Sequence, residues 1–257
     1  YSTKIIGAQY FTAGAAAADF PFDADYKSPR DFAGHGSHTA STAAGVNGVD
    51  ATVNGIDYGK ISGVAPAAKI AAYKACYDGP DPDTQDDDIC ASSDLLDAID
   101  AAVSDGVDVI NFSIGGGAAT TVIDAFDEAF LNAAIAGIFV SVAAGNAGPG
   151  SSTLDHAAPW YTTVANSTMP SETATLTLGN GQKAAGLTIG LPPGGGLENK
   201  SIVWSHDAGL PGADAGKLAQ CQDGTLDASK VAGKIVVCDR GGNLLISKSE
   251  NVKAGGG

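Results

Sequence analysis

Two runs, Val107-Asp108-Val109-Ile110-Asn111-Phe112-Ser113 and Ile138-Phe139-Val140-Ser141-Val142, flank a helical pattern over residues 121–136. Each run is short, rich in β-branched and aromatic residues, and bounded by turn formers, the pattern of a buried strand. Between them Ile123, Phe126, Phe130, Leu131 and Ala134 recur at helical spacing, and Gly137 ends the pattern. Upstream, Ser92 or Ser93 can cap a helix through Val103, with Asp94 and Asp97 in its early turns and Gly106 after it. Earlier still, residues 64–73 read as another buried strand. Strand, helix, strand, helix, strand with short links predicts an α/β fold built on a doubly wound parallel sheet. Such sheets bind ligands beyond the carboxyl ends of their strands. Loops 113–117 and 143–148 both fall there, so a shared cleft is expected between them.

The chemistry-bearing stretch is Gly34-His35-Gly36-Ser37-His38-Thr39-Ala40-Ser41-Thr42-Ala43-Ala44-Gly45. Gly34 and Gly36 let the backbone pass close to a neighbour or ligand, and the small residues after them predict a thin, tightly packing helix. A histidine in the first turn of that helix feels the positive end of its dipole, which favours the neutral imidazole that a general base requires. His35 and His38 are three residues apart and could share a metal from one helix face, but no third ligand is visible. His38 is expected to pack or hydrogen-bond within the helix, and His156 and His206 to be structural or on the surface.

This stretch resembles the catalytic-histidine motif of the subtilisin-like serine proteases (subtilases, peptidase family S8). Other stretches resemble that family in its order along the chain. Lys4-Ile5-Ile6-Gly7-Ala8-Gln9-Tyr10-Phe11 is similar to the segment upstream of the histidine. Gly63-Val64-Ala65-Pro66-Ala67-Ala68-Lys69-Ile70-Ala71-Ala72-Tyr73-Lys74-Ala75-Cys76 is similar to the strand after it. Ser113-Ile114-Gly115-Gly116 resembles the substrate-binding strand, and Ala143-Ala144-Gly145-Asn146-Ala147-Gly148 the oxyanion loop. Residues 231–241, Val-Ala-Gly-Lys-Ile-Val-Val-Cys-Asp-Arg-Gly, resemble a strand of the protease-associated (PA) domain carried by plant-type and related bacterial members. The resemblance implies that His35 is the general base and Asn146 an oxyanion donor. It implies that Ser113, Ile114, Gly115, Gly116, Ala144 and Gly145 bind the peptide, which would add as an extended strand. It also implies an endopeptidase acting on polypeptides, with a propeptide cleaved from the parent protein.

The family's triad runs Asp, His, Ser along the chain. Neither its Asp-Ser/Thr-Gly motif nor its Gly-Thr-Ser-Met/Ala motif occurs in the 257 residues. The chain begins at Tyr1, its one methionine is Met169, and it stops inside Ala254-Gly255-Gly256-Gly257. It is therefore expected to be an internal piece that does not hydrolyse peptides by itself. A noncatalytic, peptide-capturing member of the family is the alternative. A phosphate-binding loop at Gly115-Gly116-Gly117 is disfavoured, because neither GxGxxG nor a Walker lysine is present.

The net charge of −15 is unevenly placed. Residues 1–172 carry 22 acids and 6 bases (−16), and residues 173–257 carry 7 acids and 8 bases (+1), a shift that supports a boundary near Glu172. This acidity disfavours nucleic acid and anionic membranes as partners; a solvated acidic surface with no partner is the expected reading, with steering of cationic peptides as the alternative. The longest apolar stretch, 131–144, is broken by Asn132, Gly137 and Ser141, well short of the roughly 18–20 residues of a membrane span. Four cysteines allow three pairings. Cys76 and Cys90 bracket an aspartate-rich loop, and Cys221 and Cys238 bracket a loop ending in a strand. Sequence-local pairs suit a secreted, disulfide-bonded protein, with four free thiols as the alternative.

After Met169 the pattern changes. Thr173-Ala174-Thr175-Leu176-Thr177-Leu178 alternates, and Asn180-Gly181 signals a hairpin. Pro192-Pro193-Gly194-Gly195-Gly196 reads as a linker, with strand-like pieces at 202–204 and 234–237 beyond it. The expected division is 1–190, the central part of a subtilisin-like peptidase domain, and 191–257, the start of a β-rich PA domain. Asp78, Asp81, Asp83, Asp86, Asp87 and Asp88 form an acidic loop. No cofactor is required by this reading, and calcium is possible as a structural ion with no ligands assigned. Asn166-Ser167-Thr168 and Asn199-Lys200-Ser201 match glycosylation sequons.

Overall fold

The computed structural model describes residues 2–22, 27–53, 56–80, 88–120, 123–167, 173–188 and 196–257. The chain divides into two units: Tyr1–Asp19, Ala24–Cys76 and Cys90–Leu191 form one, and Phe20–Asp23, Tyr77–Ile89 and Pro192–Gly257 the other. In chain order the elements up to residue 104 are β1 (Ile5–Tyr10), α1 (Ala13–Ala17), α2 (His35–Ala44), β2 (Val49–Val53), β3 (Ile56–Ile61), β4 (Ile70–Lys74), β5 (Cys76–Tyr77), β6 (Ile89–Cys90) and α3 (Ser92–Ser104). There follow β7 (Val109–Phe112), α4 (Ala125–Ile135), β8 (Phe139–Ala143), β9 (Thr162–Val164), β10 (Thr173–Thr177) and β11 (Lys183–Leu187).

In the first unit β1 pairs in parallel with β4, and β7, β8 and β9 form a parallel sheet in that order. The expected parallel pairings are thus present, in two separate sheets rather than one. The core gathers around β7 and β8. Ile110 and Phe112 of β7 and Val140 and Val142 of β8 are buried, while Val109 and Phe139 stay exposed. That is the two-residue period of a sheet with one covered face. Leu95, Ala98, Ile99 and Ala102 of α3 cover it at helical spacing, with Phe130 and Ala133 of α4. Phe130, fully buried, meets the ring of Phe112 edge-on at 5.1 Å. A buried ring of this kind contributes about 1.5–3 kcal/mol.

Four boundaries differ from the sequence reading, the first two because a polar group wins locally. The strand expected over 64–73 begins only at Ile70. Val64 and Ala65 instead donate their N–H groups to the carbonyls of Thr42 and Ala43 at the end of α2, and Ala68 closes a turn onto Ala65 past Pro66. The helix expected over 121–136 begins at Ala125, because Asp124 caps it. Asp124 accepts from the Asp127 N–H at 2.9 Å, and Asp127 accepts from the Asp124 N–H at 3.0 Å. Ile123 thereby falls outside the helix and is half exposed, and Thr121 lies outside the described residues. At α3, Ala91 is the N-cap without a side-chain bond, and neither Ser92 nor Ser93 caps it. The Asp94 carboxylate there is fully buried and accepts from the N–H groups of Gly14 and Ala15, tying α1 to α3. β7 stops at Phe112, one residue before the expected end.

β10 and β11 form the expected antiparallel hairpin around Asn180-Gly181. The charge step at Glu172 and linker residues 192–195 lie outside the described residues. In the second unit, β12 (Ile202–Trp204) and β13 (Ile235–Val237) pair in parallel. Three helices that the sequence reading did not anticipate accompany them: α5 (Ala215–Ala219), α6 (Ala228–Val231) and α7 (Leu245–Ala254). Lys248 of α7 is buried, and its ammonium donates to the carbonyls of Gln220 and Gly241, each at 2.8 Å, and to the Asn243 side chain. Burial pulls this lysine below its ordinary pKa, and the nearby Asp239 charge opposes the shift. Disulfides join Cys76 to Cys90 and Cys221 to Cys238.

Phe130→Ala is expected to cost about 3–5 kcal/mol in urea unfolding, whereas Ile135→Ala, at a residue 76% exposed on the same helix, should change stability by under about 0.5 kcal/mol.

Candidate active site

His35 is the first residue of α2. Gly34, its N-cap, has a φ of 85°, a left-handed conformation that glycine adopts without a Cβ penalty. The sequence reading missed what holds this turn. Asp31 accepts from the Gly34 N–H at 3.0 Å and, through its other oxygen, from the Ser37 N–H at 2.6 Å. One carboxylate so satisfies two N–H groups that the helix start leaves open. Burial pushes Asp31 up, but the hydrogen bonds from Ser37 and Gly34 and the charge of Lys74 outweigh it and hold the carboxyl below its ordinary value. Its negative charge also opposes the positive end of the helix dipole beside His35. The signal was in the sequence: an acid three residues before a glycine that opens a helix. His35 and His38 are both exposed, and neither ring has a hydrogen-bond partner among the described residues.

The second part of the site lies past the carboxyl ends of β7 and β8. Segment 113–116 continues the line of β7. The carbonyl of Ile114 accepts from His156 Nε2 at 3.0 Å, and the N–H of Gly116 donates to Asp155 Oδ2 at 2.6 Å. Residues two apart in extended chain direct their backbone groups to the same edge. Ile114 and Gly116 therefore spend one edge on residues 155–156, and Ser113 and Gly115 direct theirs to the other. The backbone N–H and C=O groups of Ser113 and Gly115 make no hydrogen bond among the described residues. Of the four residues expected to bind a peptide, Ile114 and Gly116 thus bond within the chain, and Ser113 and Gly115 keep their backbone groups free among the described residues.

Asp155 also joins the two loops. Its N–H donates to the Ala144 carbonyl at 3.2 Å, and Ala144 in turn donates to Val164 of β9. A Cβ on Gly115 would stand 2.5 Å from Asp155 Oδ2 and 3.5 Å from the Gly145 Cα, so this close approach requires glycine. Asn146 follows Gly145, is exposed, and has no hydrogen bond to its amide among the described residues. His156 is buried with its ring against Phe112, Phe130 and Tyr161. Its Nε2 faces a carbonyl oxygen, which can only accept, so that nitrogen carries the proton. Tyr161 donates to Asp127 at 2.5 Å. Burial first, then this hydrogen bond, raises its phenol well above its ordinary value. Trp160 donates its indole N–H to the Asp127 carbonyl. The segment under the two loops is thus anchored to α4.

The structure brings Ile114, Gly115, Gly116, Ala144 and Gly145 together around Asp155, and Ser113 and Asn146 adjoin them. No hydrogen bond or ion pair among the described residues links α2 to these loops. His206, half exposed, stands 3.3 Å from Asp239 in the second unit. No cluster of three or more His, Cys, Asp or Glu suited to a metal occurs among the described residues, and Asp81, Asp83, Asp86 and Asp87 lie outside them.

The chain belongs to the subtilase family, whose model matches residues 13–221. It is 39% identical over 261 residues to the subtilisin-like protease SBT1.5 of Arabidopsis thaliana, covering 99% of this chain and 32% of that protein. It is 41% identical over 263 residues to SBT1.6 of the same plant, with the same coverage. The chain thus spans about a third of the length of these curated relatives. A crystal structure of MycP1 with its N-terminal propeptide removed shares 24% identity at a TM-score of 0.34, over 49% of this chain and 36% of that one.

Asp31→Ala is expected to lower stability by about 1 kcal/mol near neutral pH, as loss of a helix cap does. A depressed carboxyl stabilises above its unfolded-state value, and that contribution vanishes as pH falls through the folded-state value. The difference from wild type in urea titrations should therefore shrink as pH falls below the ordinary aspartate value of 3.8.

Proposed function

We propose that this chain contributes the general base and the oxyanion-binding loop of a secreted serine endopeptidase. The observation that carries the reading is the outward edge of Ser113 and Gly115, held beside the loop that presents Asn146 and belonging to a chain of the subtilase family. An extended peptide adds to that edge through its own backbone groups. The carboxamide of Asn146, exposed and without a hydrogen bond among the described residues, suits donation to an oxyanion that exists only during reaction. The exposed imidazole of His35 suits proton transfer.

In this reading a serine hydroxyl attacks the scissile carbonyl while His35 takes its proton. The carbonyl oxygen becomes the oxyanion bound by Asn146. His35 then passes the proton to the departing amine as the C–N bond breaks, and water hydrolyses the acyl-enzyme by the same steps. The triad serine and its aspartate are assigned to motifs that these 257 residues do not contain, so the chain alone is expected to be inactive. The two disulfides support an oxidising compartment. Residues 191–257 are read as the start of an inserted PA domain, a reading that rests on the likeness of residues 231–241.

The test uses the product of the complete reading frame. A fluorophosphonate probe should label it, and His35→Ala should abolish labelling. Labelling unchanged by that substitution removes His35 from the chemistry. Asn146→Ala should lower kcat with little change in KM. The oxyanion asparagine of subtilisin, a relative, sets the scale at on the order of 10²–10³.

A further inference from the structure

We propose that Asp155 makes the site selective for peptides with a cationic side chain, lysine or arginine, at the position lying against Gly115; this rests on the peptide-binding reading above. The direction in which Gly115 would project a Cβ ends 2.5 Å from Asp155 Oδ2. The carboxylate therefore lies on the face to which a side chain at 115 would point. A peptide strand paired along Ser113 and Gly115 places its opposite residue on that same face, with cross-strand Cβ positions about 4.5–5.5 Å apart. A long side chain from that residue can extend along this face to the carboxylate packed against Gly115.

The carboxylate is prepared for such a partner. Its side chain is only 15% exposed, so a charge there is weakly screened. Oδ2 is held by the Gly116 N–H, which fixes its position. Oδ1 accepts nothing among the described residues and is not sealed from solvent. The nearest cationic candidate, His156, stands 4.0 Å from Oδ2, but its Nε2 proton is committed to the Ile114 carbonyl. A largely buried carboxylate with an open oxygen favours a ligand that brings a donor and a positive charge.

The substrate series is read first in the unmutated protein from the complete reading frame. Peptides that differ at one residue, lysine, arginine, norleucine or glutamate, are compared at successive positions before the cleaved bond. At one position lysine or arginine should exceed norleucine in kcat/KM by about tenfold or more, and glutamate should fall below norleucine. The advantage should shrink as salt rises. Asp155→Asn, which keeps an oxygen for the Gly116 N–H, should lower the lysine-to-norleucine ratio of kcat/KM about tenfold. No cationic preference at any position, or a ratio unchanged in Asp155→Asn, overturns the proposal while leaving the protease reading in place. If no peptide is hydrolysed, the protease reading fails and binding decides the proposal. Fluorescence anisotropy of labelled lysine and norleucine peptides on the 257-residue chain should then show tighter lysine binding that Asp155→Asn abolishes; equal binding, or none, overturns it.

Discussion

Parallel pairing of β7 with β8 is the constraint on which the site depends. Two strands running the same way release their chains at the same edge of the sheet, so segments 113–116 and 143–146 must emerge as neighbours. The register is fixed by burial. Ile110 and Phe112 face the core with Val140 and Val142, and a slip of one residue would turn Val109 and Asn111 inward. The same slip would exchange the roles of the alternate residues past the strand. Ser113 and Gly115 would turn toward residues 155–156, and the outward edge would be lost. Core packing and the direction of the backbone groups past the strand are two consequences of one register.

Aspartates at backbone turns form a second theme. Asp31 holds the start of α2, Asp94 the start of α1, and Asp124 with Asp127 the start of α4, while Asp155 binds the Gly116 N–H. Each carboxylate accepts from an N–H that no helix or sheet bond satisfies. In a chain of net charge −15 these residues are not merely a solvating surface. Some of the excess charge fixes where helices begin and how the two loops approach each other. Asp127 adds a further bond, accepting from Tyr161, and so joins α4 to the segment that carries Asp155 and His156.

Much of this was legible without coordinates. The helix beginning at His35, the strands around Ile110 and Val140, and the hairpin at Asn180-Gly181 follow from residue period and turn chemistry. The errors cluster where a side chain competes with the pattern. Residues 64–69 read as strand because they are mostly apolar, but the N–H groups of Val64 and Ala65 are taken by the end of α2. Ile123 fits the helical stripe, but Asp124 starts the helix after it. His156, expected to be structural or on the surface, is structural, and nothing near it in sequence names Phe112, Phe130 and Tyr161 as its neighbours.

The amino-acid order by itself determined which residues can act and in which kind of element each sits, because period, glycine placement and capping are local properties. It determined the family as well, since the motifs occur in the family's order. Only the tertiary structure decided that Asp155, 40 residues from Gly115 along the chain, comes to lie against it. It also decided that Ser113 and Gly115, rather than their alternates, face outward. Both outcomes depend on strand register and on which turn meets which, and those are set by packing among residues far apart in sequence.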